Sequence, residues 1–306
     1  LMGELKVAED WFEAKGWKPF QFQKDSWRAC LNKESGLLNA PTGSGKTYAL
    51  FAGVVLEYLK AEKEGKLKKK KGLKLIWVTP IRALTKDIKN ACQNLCEDLE
   101  LPWQIAIRTG DTSTADRAKQ KRTPPDVLIT TPESMHLLMA SKGYADYFAS
   151  LRFVVADEWH ELMGSKRAVL LELALSRLKT IANPSIWGIS ATIGNMEQAM
   201  EVLFGTDVGT KNLRFIKSEI KKKIEIFPII PDEIEKYPWA GHLGVKLAES
   251  VLPILEKSRT TLIFTNTRAQ AEIWYQHLLN IKPELAGLIA MHHGSISRES
   301  VSKSKR

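Results

Sequence analysis

The stretch Ala40-Pro41-Thr42-Gly43-Ser44-Gly45-Lys46-Thr47 decides the fold, because it predicts a tight turn that leads from a strand into a helix. The apolar pair Leu37-Leu38 precedes this stretch, and Tyr48-Ala49-Leu50-Phe51 follows it in helical register. In such a turn, backbone N–H groups and a lysine ammonium surround a polyphosphate, and the hydroxyl of Thr47 can bind Mg²⁺. The stretch therefore indicates a nucleoside-triphosphate loop. The residues predicted to contact ATP in this loop are Thr42, Gly43, Ser44, Gly45, Lys46 and Thr47.

A second string, Asp157-Glu158-Trp159-His160, directly follows the apolar run Phe153-Val154-Val155-Ala156. Ligands of open α/β sheets bind where the strands end, so this acid pair is placed for phosphate chemistry. Asp157 is predicted to hold Mg²⁺ through water, and Glu158 is predicted to orient and deprotonate the attacking water. His160 taken alone fits a hydrogen-bonded bystander equally well, and Trp159 is interpreted as packing. The predicted catalytic residues are Lys46, Asp157, Glu158 and His160, and the predicted Mg²⁺ ligands are Thr47 and Asp157.

The composition favours a polyanionic partner. Among 306 residues, 45 Lys and Arg stand against 35 Asp and Glu, which gives a net charge of +10. Charge alone does not choose among nucleic acid, an acidic membrane and plain solubility. No apolar stretch approaches the ~20 residues of a membrane-spanning helix, and Leu1–Glu4 does not open a signal peptide. We therefore expect a cytoplasmic protein with no membrane partner, whose cysteines Cys30, Cys92 and Cys96 are reduced thiols.

Short apolar runs alternate with amphipathic helical patterns along the chain, which is typical of an α/β fold with a mostly parallel sheet. The predicted strands are Gly36–Asn39, Leu73–Thr79, Gln104–Arg108, Asp126–Thr130, Arg152–Ala156 and Ile186–Ser190. The predicted helices between them include Thr47–Lys60, Ala83–Leu99, Pro132–Ala140 and Ala168–Ile181.

At about 150 residues per domain, the chain has room for about two domains. We predict an N-terminal segment over residues 1–19, a first ATP-binding domain over 20–209, a proline-containing connector over 210–241, and the start of a second α/β domain over 242–306. In the last range the predicted helices are Val245–Glu256 and Ala269–Asn280, and the predicted strands are Thr261–Phe264 and Gly287–His292.

The strings that carry chemistry occur in the order that superfamily 2 helicases of the DEAH/DEXH type show. They are the phosphate loop, Thr79-Pro80-Ile81-Arg82-Ala83-Leu84, Thr109-Gly110, Thr131-Pro132-Glu133, Asp157-Glu158-Trp159-His160, Ser190-Ala191-Thr192 and Phe264-Thr265-Asn266-Thr267-Arg268. The sequence resembles that superfamily over nearly its whole length. Within it, the segments Thr265–Glu272, Pro238–Gly244 and His292–Ser295 resemble the Lhr-like group, and most of all its bacterial ligase-associated DEXH-box DNA helicases.

The resemblance implies two RecA-like P-loop domains, the second of them incomplete here, in an ATP-dependent helicase or translocase that moves 3′ to 5′ on single-stranded DNA. Closure of the two domains around ATP and Mg²⁺ would drive the movement. Gln23 would bind the adenine base, and His160, Ser190 and Thr192 would relay the nucleotide state. Links to DNA repair, a DNA ligase and a repair nuclease are implied as well. The residues implied to contact nucleic acid are Thr79, Pro80, Arg82, Thr109, Gly110, Thr131, Thr265, Asn266, Arg268, His293 and Gly294.

Other functions stay open at this point. An RNA or RNA–DNA hybrid helicase, or an ATP-gated nucleic-acid clamp that does not unwind, would keep every one of these strings. A threonine or glycine in a loop is, taken alone, more often turn chemistry than a ligand. The family's later segment with a Gln-x-x-Gly-Arg-x-Gly-Arg pattern, which brings arginines to the γ-phosphate, does not occur here. We therefore expect this segment alone to bind ATP and to hydrolyse it poorly.

Overall fold

The computed structural model describes residues 2–67, 71–191, 196–205, 213–220, 223–230 and 243–292. The chain forms two compact units, Leu1–Lys222 and Lys223–Arg306. The strands of the first unit are β1 Ser35–Asn39, β2 Leu75–Val78, β3 Ile105–Arg108, β4 Val127–Thr130, β5 Phe153–Ala156, β6 Ser185–Ser190 and β7 Leu213–Lys217. Its helices are α1 Met2–Ala14, α2 Gln21–Leu31, α3 Lys46–Lys63, α4 Leu84–Asp98, α5 Thr114–Arg122, α6 Pro132–Met139, α7 Tyr144–Phe148, α8 Trp159–Leu162, α9 Lys166–Ile181 and α10 Met196–Phe204.

The strands described in the first unit form one parallel sheet in the order β3-β4-β2-β5-β6-β1-β7. The α/β prediction is therefore confirmed, and each of the six predicted strands is present within two residues of its predicted ends. Because every strand runs the same way, all their carboxyl ends lie along one edge of the sheet. Chemistry predicted at different strand ends can thus meet there.

The seventh strand corrects the predicted connector. Leu213–Lys217 lies inside the range 210–241, yet it pairs with β1 along its whole length. Its side chains alternate, and Ile216 is buried while Phe215 is 39% exposed. An edge strand has one neighbour and is less completely covered than a central strand, so it lacks the continuous apolar run that marks the central strands. Because the strand contains exposed basic residues between its apolar ones, its sequence was interpreted as part of a linker.

Two apolar layers cover the sheet, one on each face. Successive residues of a strand point to opposite faces, so Trp77 packs in the layer with α1–α4 and Ile76 in the layer with α6–α10. The first layer includes Trp11 and Phe12 of α1. The N-terminal segment predicted as separate therefore packs onto the first unit. The close approach of α2 and α3 depends on Gly53, where a Cβ atom would lie 2.9 Å from the Cβ of Cys30.

Side-chain caps explain where several helices begin. Ser113, Thr131 and Ser165 each accept a hydrogen bond from a backbone N–H in the first turn of α5, α6 and α9. These residues satisfy N–H groups that have no partner inside the helix.

Within the described residues, no helix combines the length and apolar character of a membrane-spanning segment.

A buried ion pair ties α3 to the start of β5. Glu57 is 2% exposed, and its carboxylate accepts hydrogen bonds from two nitrogens of the Arg152 guanidinium, one of them at 2.8 Å. Lys33 approaches the same carboxylate at 3.6 Å. Such a buried pair contributes little net stability over an apolar equivalent, but removal of one partner leaves a buried charge uncompensated.

Replacement of Glu57 by glutamine is therefore expected to destabilise the first unit by on the order of 3 kcal/mol. The exposed pair of Arg28 and Asp25, 2.8 Å apart, supplies a matched control. Asp25→Asn should cost less than about 1 kcal/mol, since solvent screens that pair. Denaturant unfolding of both variants measures the difference, and equal losses would contradict the assignment of Glu57 as a structural anchor.

The second unit contains α11 Leu243–Lys246, α12 Ala248–Lys257, α13 Arg268–Ile281 and a short 3₁₀ turn, Pro283–Leu285. Both predicted helices are present, the first interrupted at Leu247. The predicted strands Thr261–Phe264 and Gly287–His292 are wrong, because neither range forms a strand. A strand needs a neighbour to pair with, and in the described part of this unit none is present. Phe264 is accordingly 88% exposed.

Candidate nucleotide site and nucleic-acid interface

Three neighbouring strands bring the predicted ATP residues together. In the order β5-β6-β1, their carboxyl ends lead into Asp157, Ser190 and the phosphate loop. The backbone N–H of Ala40 donates to the carbonyl of Ser190 at 3.1 Å, which joins the loop to β6. The sequence strings that lie far apart in the chain therefore share one edge of the sheet.

The phosphate loop turns sharply into α3. Gly45 has φ 82°, in the left-handed region, and is followed by Lys46 as the first helical residue. The positive φ is what requires glycine at this position, and a Cβ atom there would in addition displace the amide end of Gln23, whose Nε2 would lie 2.7 Å away. Ser44 is buried, and its hydroxyl donates to the carbonyl of Pro41 at 2.7 Å. The loop is thus held in shape while the N-terminus of an 18-residue helix points into it.

Lys46 carries the clearest sign of an anion site. Its Nζ atom is buried and makes no hydrogen bond within the described residues. The nearest carboxylate oxygen, Oε1 of Glu158, lies 3.6 Å away. A buried ammonium with unused donors costs free energy unless a ligand compensates for it. The donor set therefore fits a phosphate group.

Gln23, which the resemblance implies in adenine binding, contacts the backbone on both sides of its amide in the structure. It is 2% exposed, its Oε1 accepts from the backbone N–H of Phe20 at 2.8 Å, and its Nε2 donates to the carbonyl of Gly45 at 3.2 Å. The amide therefore joins the start of α2 to the phosphate loop. An amide has two donors and two acceptor lone pairs, so contact with a base edge stays a prediction that this geometry leaves room for.

Asp157 is fixed by two hydrogen bonds, one to each carboxylate oxygen. Oδ1 accepts from the backbone N–H of Glu158 at 2.9 Å, and Oδ2 accepts from the indole N–H of Trp77 at 3.1 Å. Burial raises the pKa of the Asp157 carboxyl to about 6. A carboxylate, like the hydroxyl of Thr47 in the first turn of α3, is a hard oxygen ligand of the kind that Mg²⁺ takes, so both residue types fit the predicted metal role.

Glu158 adopts a left-handed backbone conformation, with φ 46° and ψ 48°. For a residue other than glycine this costs of order 1 kcal/mol, and such strain concentrates at functional sites. Its carboxylate lies between two groups: Oε1 is 3.6 Å from Nζ of Lys46, and Oε2 is 3.5 Å from Nδ1 of His160. The turn directs this carboxylate toward the phosphate loop.

His160 contacts the end of β6. Its Nδ1 lies 2.8 Å from Oγ of Ser190, so two members of the predicted coupling group are in direct contact. The third member, Thr192, lies outside the described residues. Trp159 is fully buried and donates to the carbonyl of Ala199 at 3.0 Å, in line with its interpretation as packing.

The other half of the sheet edge carries the residues implied to contact nucleic acid. Strands β3, β4 and β2 end in Thr109, Thr131 and Thr79, which are 5%, 2% and 0% exposed. Their hydroxyls accept hydrogen bonds from nearby backbone N–H groups, those of Asp111, Ser134 and Ile81 respectively. In the structure the three threonines organise their loops, and direct contact of these hydroxyls with nucleic acid stays a prediction.

Arg82 and Gly110 are the exposed members of this group, whereas Pro80 is buried. The Arg82 guanidinium lies over Gly110, where a Cβ atom would be 3.1 Å from Nη2. It also reaches Oδ1 of Asp111 at 3.4 Å, a pair that is more than half exposed on both sides. Two of the motifs that resemble a helicase therefore meet at one surface.

Comparison with known proteins identifies the family of this chain. The family described as DEAD/DEAH box helicase matches residues 20–200. This chain belongs to the DEAD/DEAH box helicase family. It is similar to the ATP-dependent helicase Lhr-Core protein 2 of Thermococcus barophilus, with 35% identity over 284 residues that cover 87% of this chain and 32% of that protein. It is also similar to the Lhr helicase/uracil glycosylase of Escherichia coli, with 30% identity over 87% of this chain and 19% of that protein.

A solved structure extends the likeness to the fold. The structure of Mycobacterium smegmatis helicase Lhr bound to ssDNA and AMP-PNP has a TM-score of 0.71 and 27% identity, and the match covers 97% of this chain and 39% of that one. The resemblance to the Lhr-like group is confirmed, and the ligase-associated subgroup stays a prediction. This helicase-family chain spans about a third of the length of the Lhr-Core relatives.

The second unit of the helicase-family chain contains three further predicted contacts. Thr267 caps α13, accepting from the backbone N–H of Gln270 at 3.2 Å. Next to this cap, Thr265 donates to the carbonyl of Thr267 at 3.2 Å, while Asn266 and Arg268 are exposed. The predicted residues His293 and Gly294 lie outside the described residues.

Sequence reasoning missed two residues that act on the predicted groups. Trp77 binds Asp157, as described above. Arg117 of α5 donates from Nη2 to the carbonyls of Thr109 and Gly110, at 3.0 and 2.9 Å. Its signal was weak, because α5 buries none of its side chains and shows no apolar periodicity.

Proposed function

We propose that this chain is the ATP-binding motor region of an ATP-dependent helicase that moves on single-stranded DNA. The observation that carries the proposal is the buried Nζ of Lys46, which has no hydrogen bond and lies 3.6 Å from the Glu158 carboxylate. One group attracts a phosphate, and the other can accept a proton from water next to it. Support comes from the Mycobacterium smegmatis Lhr structure, in which that helicase is bound to ssDNA and AMP-PNP.

In the proposed reaction, the loop N–H groups and Lys46 bind the phosphates of ATP, and Glu158 orients the attacking water and accepts its proton. Mg²⁺ held by Thr47 and by Asp157 through water would neutralise charge on the phosphate oxygens. The Ser190 hydroxyl, 2.8 Å from His160, gives a route by which a change at Glu158 reaches β6. By the family resemblance, the proposal also includes Thr192 as a coupling residue. It includes Arg268, His293 and Gly294 as nucleic-acid contacts.

The proposed nucleic-acid surface lies over the ends of β3, β4 and β2. Arg82 supplies an exposed guanidinium, which lies over the backbone of Gly110, a residue with no side chain of its own. Contacts of this kind hold a sugar-phosphate backbone without reading its sequence. The family resemblance adds three points to the proposal. The protein moves 3′ to 5′, two domains close around ATP, and the protein acts in DNA repair together with a ligase and a nuclease.

The test is ATP turnover by the full-length protein with single-stranded DNA, with single-stranded RNA and with no polynucleotide. We expect stimulation by DNA. Equal rates in all three would overturn the motor proposal, and stimulation by RNA alone would change the substrate to RNA. A strand-displacement assay, with Glu158→Gln as the turnover-deficient control, then separates unwinding from clamping. Turnover and DNA binding without displacement would favour the clamp.

Arg82→Ala is expected to weaken single-stranded DNA binding at every sequence. Loss of one phosphate contact should lower the slope of log K against log salt by about 0.7. Arg177 is the matched control, because it is an exposed arginine on α9 that donates to the hydroxyl of Tyr144 at 2.8 Å. Fluorescence anisotropy across a salt series measures both slopes. An unchanged slope for Arg82→Ala would remove Arg82 from the proposed surface.

A further inference from the structure

Trp77 differs from the other fully buried tryptophans in what it binds. Four tryptophans of the described residues are 0% exposed. Three of them, Trp27, Trp159 and Trp187, donate their indole N–H to backbone carbonyls. Trp77 donates to a side-chain carboxylate, Oδ2 of Asp157, at 3.1 Å.

The difference matters because a carbonyl in a strand or helix is already fixed, whereas a carboxylate can rotate. Trp77 lies on β2 and Asp157 directly follows β5, and the two strands are paired up to Val78 and Ala156. The backbone N–H of Asp157 donates to the carbonyl of Val78 at 2.7 Å, so the two backbones are fixed relative to each other. The indole N–H of Trp77 therefore donates to the carboxylate from a backbone position that is fixed relative to Asp157.

Each oxygen of the Asp157 carboxylate accepts one hydrogen bond, from Trp77 on Oδ2 and from the Glu158 backbone on Oδ1. A carboxylate oxygen has two lone pairs, so each keeps one for a further partner. The two bonds define the plane of the carboxylate and leave these remaining lone pairs in a fixed direction. A phenylalanine ring would fill much of the same space but has no N–H group, so it would not hold the carboxylate of Asp157 in this orientation.

We propose that Trp77 is a positioning residue for Asp157, and that its indole N–H sets the carboxylate orientation in which Asp157 supports Mg²⁺-dependent nucleotide binding. The inference rests on the proposed ATP site. Groups that orient a metal ligand typically change metal affinity by about 10- to 100-fold when they are removed. The effect of Trp77 should appear in the Mg²⁺ dependence of binding, because a merely structural role would not change that quantity selectively.

The experiment compares Trp77→Phe with Trp187→Phe in the full-length protein. Both tryptophans are fully buried, both lie in the same apolar layer, and each donates one indole hydrogen bond. The affinity for a fluorescent ATP analogue is measured with Mg²⁺ and with EDTA. Trp77→Phe should lose about tenfold in affinity with Mg²⁺ and little with EDTA, whereas Trp187→Phe should lose neither.

A second variant protects the test against misfolding. Benzothienylalanine at position 77 keeps the size and shape of tryptophan and lacks the N–H donor, so it should reproduce the Mg²⁺-dependent loss with an unchanged thermal midpoint. Wild-type dependence on Mg²⁺ in this variant, or an equal loss in Trp187→Phe, would overturn the inference. If the unaltered protein binds no nucleotide under either condition, the proposed function fails instead.

Discussion

Lys46→Ala is expected to lower ATP turnover of the full-length protein by about 10²-fold or more, with a clear loss of nucleotide affinity. The reason is local: the Lys46 ammonium is the buried cation at the start of α3, and its donors are free for a phosphate. Alanine leaves the turn and the helix intact, because neither depends on this side chain. Steady-state turnover and nucleotide titration measure the two effects.

Stability should change little. Removal of Lys46 loses no hydrogen bond but ends the 3.6 Å ion pair with Glu158, and these opposing effects should leave the thermal midpoint nearly unchanged. Lys60, on the same helix and 3.5 Å from Glu4, is the control position. Lys60→Ala should retain turnover. A Lys46→Ala protein that turns over ATP at the normal rate would show that the phosphate is bound elsewhere.

The central sheet could be predicted because its strands are covered on both faces. Phe153–Ala156 and Leu75–Val78 are buried throughout, so they appear in the sequence as continuous apolar runs. The edge strand Leu213–Lys217 has exposed basic residues, which the sequence presents as a linker. Thr261–Phe264 shows the reverse error, since an apolar run without a pairing partner does not form a strand. Prediction succeeded for the apolar runs of β1 to β6 and failed at Leu213–Lys217 and Thr261–Phe264, where the residues themselves do not show whether a pairing partner is present.

The candidate site follows the same distinction. The phosphate loop is one continuous run of residues, and the Asp157-Glu158 pair is another. The chemistry of each run could therefore be predicted from the residues within it. The Trp77 contact with Asp157 joins residues 80 positions apart. A tryptophan inside an apolar strand is indistinguishable from core packing until the register of β2 and β5 is known. The hydroxyl of Thr131, which the resemblance implies in nucleic-acid contact, caps α6 in the structure, and its contact with nucleic acid stays a prediction.

Glu158→Gln is expected to retain nucleotide and nucleic-acid binding while turnover falls by about 10²- to 10⁴-fold, the usual contribution of a general base. Glutamine has the same size, so the left-handed turn at this residue and the contact near His160 can persist. The carboxylate that lies 3.6 Å from Lys46 disappears, and the Lys46 ammonium is left wholly available to phosphate. Nucleotide affinity should therefore stay equal or increase, which distinguishes this variant from Lys46→Ala.

The matched control for this variant is Glu172→Gln, because Glu172 is a half-buried carboxylate on α9, outside the nucleotide site. It should turn over ATP at the normal rate. Single-turnover hydrolysis, measured beside equilibrium binding of a nucleotide analogue, separates chemistry from affinity in both proteins. If Glu158→Gln lost binding and turnover together, its carboxylate would be needed to build the site. If it kept full turnover, the base would have to be another group at the ends of β5, β6 and β1. The loss of affinity expected in Lys46→Ala and its retention or gain in Glu158→Gln follow from one geometry, in which a cation at the start of α3 and a base after β5 lie 3.6 Å apart at the phosphate loop.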